Sequence, residues 1–215
     1  MRAVAAAARR TPVGRIGGAL RTLPIEALAA PLLASLLDEA GLDGGTVDDV
    51  ILGNAAGPGG NPARVAALAA GLPDSVPGLT VDRQCGSGLE AVILAARLVE
   101  AGAGEVYLAG GVESPSTAPW RVEKPAALHR TPRFVERARF APDAVGDPDM
   151  GAAAETVARV HQISRARQDA FALGSHRKAV AAQDSGRFRE EIHPLIGADA
   201  RLVLADECPR RDTGI

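Results

Sequence analysis

The feature that most limits how this chain can fold is an alternation of short apolar runs with longer helical patterns through its first 110 residues. Residues 4–8, 47–52, 79–83 and 105–109 each read as a buried strand bounded by turn residues. Between them, residues 24–40 place Leu28, Leu32, Leu36 and Leu37 near one helical face, with Gly41 as the stop. Pro31 inside that pattern predicts a kink, or the loss of the first turn. Asn61 and Pro62 read as the N-cap and first position of a helix running to Gly71. A third helix opens just past Cys85. Leu89, Val92, Ile93, Ala96 and Val99 form its apolar period, and Gly102 ends it. Strand, helix and strand at these lengths imply a parallel sheet with crossover helices, an α/β fold.

After Ser114 the pattern changes. Residues 115–148 are rich in Pro, Arg and Ala without clear periodicity, as in an excursion over a surface. Two helices follow, at about 150–160 and 164–185, the second capped by Ser164 with Gln168 nearby. Residues 186–195 and 201–204 read as short strands. The division this suggests is an α/β domain over 1–114 and a second unit over 115–215.

Composition narrows the function classes. The formal net charge of -2 gives no reason to expect nucleic acid or an anionic membrane surface as partner. Lys124 and Lys178 are the only lysines, and the arginine excess reads as coding bias. No apolar stretch approaches the ~18 residues needed to span a bilayer. The short apolar N-terminus, followed by Arg9, Arg10 and Pro12, suits a first strand and a reducing cytoplasmic location better than a signal peptide. Two cysteines, Cys85 and Cys208, make no disulfide framework, and no Cys/His cluster has zinc spacing.

Cys85 stands after a strand and directly before Gly86, Ser87 and Gly88 at the start of a helix. Free N–H groups of a first turn and the helix dipole favour a thiolate there. The glycines let a substrate approach the backbone, and the same N–H groups can donate to an acyl oxyanion. A small core residue at a strand end fits the pattern equally well. The hydrolase elbow G-x-S-x-G fails because Cys85 occupies its first glycine position. The papain-type C-G-S-C fails because Gly88 stands where its second cysteine belongs.

The run Val81-Asp-Arg-Gln-Cys-Gly-Ser-Gly-Leu-Glu-Ala-Val92, with Ala109-Gly-Gly-Val-Glu-Ser114, resembles the nucleophile region of the thiolases. Further matches follow in family order: Arg10-Thr-Pro-Val-Gly14, Asn61-Pro-Ala-Arg64, Met150-Gly-Ala-Ala-Ala-Glu155, Gly186-Arg-Phe-Arg-Glu-Glu-Ile192, and Asp206-Glu207 with Arg210. They cover essentially the whole chain. The resemblance implies a thiolase-like N-terminal half: a mixed, mostly parallel sheet with helices on both faces, and an inserted loop domain. It also implies an acyltransferase in which Cys85 takes an acyl group from a CoA thioester and CoA then accepts it. CoA and acyl-CoA are substrates, and no covalently bound cofactor or metal is implied. Met150 would lie near the acyl pocket and Arg210 near the CoA nucleotide. The position before Met150, often histidine in the family, is Asp149.

Thiolases are roughly twice this long. The resemblance therefore ends inside the loop domain at Ile215. The family's activating histidine, oxyanion asparagine and acid/base cysteine belong to its other half. None of His129, His161, His176 or His193 is expected to replace them, and Cys208 reads as an incidental free thiol. Two readings follow. One is a thiolase-type acyltransferase that is incomplete as an isolated chain. The other is a non-catalytic subunit that binds acyl-CoA, or pairs with a chain carrying the missing half. A homo-oligomer is the family expectation.

Overall fold

Pro24 and Gly41 delimit the first helix, α1 (Ile25–Ala40). Gly41 takes a left-handed φ of 65° and its N–H closes onto the Asp38 carbonyl. The computed structural model describes residues 2–127 and 129–214. Through the first unit the chain continues as β1 (Asp49–Gly53), α2 (Pro62–Ala69), β2 (Gly78–Val81), α3 (Ser87–Glu100) and β3 (Tyr107–Gly111). The strands make one parallel sheet in the order β2-β1-β3, with Ile51 opposite Leu79 on one side and Ala109 on the other.

Period-two alternation along β1 sets the layers. Val50 and Leu52 face α1 and α2, joining Leu33, Leu37, Ala63 and Ala67 in one core. Ile51 points the other way, against Ala91 and Ala95 of α3. Fully burying a side chain such as Val50 or Ile51 contributes about 1.5–3 kcal/mol, so β1 anchors both layers. The α/β class, with a parallel sheet covered on both faces, is as the sequence implies.

Four local expectations are corrected. Residues 4–8 form no strand: Val4 is 85% exposed, and pairing begins only at Arg10, in an isolated bridge to Ile192. An apolar run becomes a strand only where a neighbouring edge accepts its ladder. Pro31 does not split α1; burial of Ala30 and Leu33 on either side offsets the lost backbone bond. The packed face of α3 is not the predicted one. Ala91 and Ala95 are buried with Leu94 and Leu98 against them, whereas Leu89 and Val92 are exposed. Residues 186–191 are turns, opened by Gly186 at φ 72° and closed by Ile192 N–H donating to Phe188 O. Only β6 (Leu195–Ile196), paired antiparallel with β7 (Leu202–Val203), is extended there.

The chain divides into two compact units, Met1–Pro119 with Gly186–Cys208, and Trp120–Ser185 with Pro209–Ile215. The return of Gly186–Cys208 to the first unit is tied by charge. Arg10 donates to both oxygens of Asp206, at 2.7 and 3.0 Å, and to Glu191 at 2.8 Å. Glu207 accepts from the backbone N–H groups of Arg15 and Ala19. The second unit holds the hairpin β4 (Val122–Glu123) and β5 (Arg133–Phe134), then α4 (Met150–Val160) and α5 (Arg165–Asp184). Ser164 caps α5 by accepting from Arg167 N–H, as its sequence position predicts. Among the described residues no helix is long and apolar enough to cross a membrane.

Candidate active site

The backbone around Cys85 is built by a turn of unusual conformation. After β2, Asp82 Oδ1 accepts the Gln84 N–H at 2.8 Å, and Gln84 takes φ 48°, a left-handed value uncommon for a residue with a side chain. Cys85 follows, and Gly86 is the N-cap of α3. Ser87, 4% exposed, locks the turn: its Oγ donates to Gln84 O at 2.6 Å and accepts from Arg83 N–H at 2.8 Å. Gly86 and Ser87 N–H groups fold back onto Arg83 O and Gln84 O. The next two N–H groups of the helix start, from Gly88 and Leu89, have no acceptor among the described residues. Cys85, three residues before Gly88, is free and exposed.

Close approach of glycines brings this helix start onto the sheet. A Cβ at Gly53 would stand 2.3 Å from the Ser87 carbonyl carbon, and one at Gly111 2.9 Å from Gly88 Cα. Only glycine at Gly53 lets the two backbones meet. Asn54, just past β1, donates from Nδ2 to Val112 O at 2.8 Å, tying the exits of β1 and β3 together. Glu113 accepts from Ala55 N–H and, at 3.3 Å, from Ala56 N–H. Cys85 therefore lies outside the carboxyl ends of three parallel strands, where open α/β sheets form their ligand crevices.

The other predicted site residues belong to the second unit. Met150 is the first residue of α4 and is 66% exposed. Asp149 before it makes no cap and instead accepts from Arg137 Nε at 3.0 Å. Arg210 is exposed, and its backbone N–H donates to His176 Nδ1 at 3.2 Å. Its Nε–H points to His176 Nε2 at 3.3 Å.

No local sequence signal points from His176 to Arg210, 34 residues away. Equally hidden were the left-handed Gln84 and the lock at Ser87. His193 donates its backbone N–H to Arg10 O at 2.8 Å, a strand-edge role, and His161 is the C-cap of α4. His129 is exposed in a turn. Cys208 is free and exposed. No group of three or more His, Cys, Asp or Glu able to hold a metal ion occurs among the described residues.

Residues 3–215 match the family "Thiolase, N-terminal domain". VraB of Staphylococcus aureus (strain COL), named as an acetyl-CoA C-acetyltransferase, is 48% identical over 195 residues, covering 90% of this chain and 51% of its own length. Its Staphylococcus haemolyticus namesake is 50% identical over 190 residues, 87% of this chain and 50% of its own. The crystal structure of the Bacillus anthracis acetyl-CoA acetyltransferase superposes with a TM-score of 0.84 at 37% identity, covering 96% of this chain and 55% of that one. The chain thus spans about half the length of the curated relatives it matches. A whole-chain family match, joined to the same fold, establishes that this chain belongs to the thiolase family through its N-terminal domain.

Proposed function

We propose that this chain provides the nucleophile half of a thiolase-type acyl-CoA C-acyltransferase, with Cys85 as the residue acylated. One observation carries the reading: an exposed thiol at a helix start whose Gly88 and Leu89 N–H groups are unpaired, beyond the carboxyl ends of β1–β3. A helix N-terminus favours an anionic sulfur, and unpaired N–H groups beside it can accept the charge of an adduct oxyanion. In the degradative direction the Cys85 sulfur adds to the 3-keto carbon of a 3-ketoacyl-CoA. The C2–C3 bond then breaks, its electron pair leaves with C2, and protonation there gives acetyl-CoA. The acyl group remains on Cys85 until the CoA thiol takes it. The reverse direction joins two acyl-CoA molecules. CoA and acyl-CoA are the substrates, without a bound cofactor, and the setting is cytoplasmic.

Residues 115–215 act in this reading as part of the CoA-binding loop domain, with Met150 toward the acyl chain and Arg210 toward the CoA nucleotide. Carbanion protonation and CoA deprotonation need a general acid and base. Losing such groups costs about 10²–10⁴-fold in rate. The 215-residue chain alone is therefore expected to give negligible thiolysis of acetoacetyl-CoA while still taking an acetyl group. An assay with the purified chain tests this: ordinary turnover that survives Cys85→Ala contradicts it.

A second reading, a subunit that pairs with a polypeptide supplying the family's other half, has its own support. Leu89 and Val92 of α3 are 67% and 48% exposed, close in sequence to Cys85. A cavity of about 210 Å³ lies along the unpaired edge of β3, lined by Arg10, Leu32, Leu36, Gly110 and Glu113 among others. Apolar helix faces and free strand edges of this kind are sites of association. Co-purification with a chain carrying the remaining family segments, or with a second copy, is the corresponding test.

A further inference from the structure

His176 on α5 meets only donors at both ring nitrogens. The Arg210 backbone N–H points to Nδ1 at 3.2 Å, and Arg210 Nε–H and Nη2 lie 3.3 Å from Nε2. A neutral imidazole has one acceptor nitrogen, so either tautomer satisfies one of these approaches and opposes the other. The imidazolium would oppose both. Arg211, next to Arg210 in the chain, is engaged with Asp184 at the end of α5 through two bonds of 2.9 and 2.6 Å. Asp184 is thus not the acceptor this corner lacks. A backbone N–H, a guanidinium and an imidazole converge with no anion among them, and an oxyanion would satisfy all three.

We infer that His176 and Arg210 form one phosphate-accepting unit, in which His176 takes up a proton when the phosphate binds. The inference rests on the assignment of Arg210 to the CoA nucleotide. It adds a proton-linked partner and a direction of pH dependence. A phosphate group bound at Arg210 stabilises the imidazolium, so a proton drawn from the buffer occupies the ring nitrogen that faces the anion. Linkage then requires tighter binding as pH falls through the range where histidine titrates.

Calorimetric titration of the full 215-residue chain with CoA, at pH 6 and pH 8 and in two buffers of different ionisation enthalpy, tests it. Binding is expected to be about 3–10-fold tighter at pH 6, with net proton uptake. His176→Gln should keep the fold, lower CoA affinity at pH 6 toward the pH 8 value, and so remove both the pH dependence and the uptake. Arg210→Ala should weaken binding at either pH. Dephospho-CoA identifies the group involved: lost uptake points to the 3′-phosphate, retained uptake to the diphosphate. Unchanged proton uptake in His176→Gln overturns the inference and leaves the Arg210 assignment standing. Unchanged affinity in Arg210→Ala, or no CoA binding at either pH, overturns both.

Discussion

Gly53 at the end of β1 lies against the backbone of Ser87 so closely that a Cβ on it would stand 2.3 Å from the Ser87 carbonyl carbon. The strand end and the first turn of α3 are thus in main-chain contact, and that contact sets where Cys85 stands. Gly53→Ala must move the helix start or the strand. Overpacking of this kind costs about 1–3 kcal/mol. Urea denaturation should show a loss at least that large, and Cys85 acylation should fall further than the remaining folded fraction explains.

Gln84 adopts a left-handed φ of 48° directly before Cys85. Such a conformation costs on the order of 1–3 kcal/mol for a residue with a side chain. Gln84→Gly should stabilise the chain by about 0.5–1 kcal/mol, after the extra backbone entropy of glycine in the unfolded state is counted. Gln84→Val should destabilise it, because a β-branched side chain tolerates this region worst. Thermal unfolding of the two variants checks both signs.

Burial of Asp206 opposes its ionisation, but the Arg10 guanidinium and the Val13 N–H outweigh it and hold its carboxyl below the usual range. A depressed carboxyl contributes stability that is present above the unfolded value, about pH 4, and lost as pH falls through the folded one. Wild type should therefore exceed Asp206→Asn in stability at pH 7. The gap should close on acidification below about pH 4, as followed by urea midpoints across pH.

Asp49 has the opposite sign. Its Oδ1 is shielded from solvent without a hydrogen-bond partner among the described residues, and burial raises its carboxyl above the usual range despite the Val50 N–H. The protonated form is favoured on folding, so the contribution is full below about pH 4 and lost as pH rises through the folded value. Asp49→Asn should be more stable than wild type at pH 7, and the difference should vanish in acid. The same urea series reads this out.

What the sequence made legible was local. Gly41, the Asn61-Pro62 pair, Gly102 and Ser164 mark helix ends because a cap acts within one turn. What it hid was set by distant partners. Residues 4–8 have strand composition, but pairing needs an edge that the run does not carry itself. The face by which α3 packs could not be read from an apolar helix. The close approaches at Gly53 and Gly111 choose the small side chains Ala91 and Ala95 over Leu89 and Val92. The return of Gly186–Cys208 to the first unit depends on Arg10 and Asp206, 196 residues apart. The position of Cys85 at a helix start was legible from its neighbours, whereas the Gln84 turn and the Ser87 lock were not.

The central claim is that Cys85, and not merely an accessible thiol, is the acyl acceptor. The chain supplies its own control, since Cys208 is also free and exposed. Peptide mass spectrometry after incubation with acetyl-CoA at neutral pH compares the two cysteines in one sample. The account predicts a single acetyl group, on Cys85, with Cys208 unmodified, and none anywhere in Cys85→Ala. Equal labelling of both cysteines, or an unmodified Cys85, would contradict it.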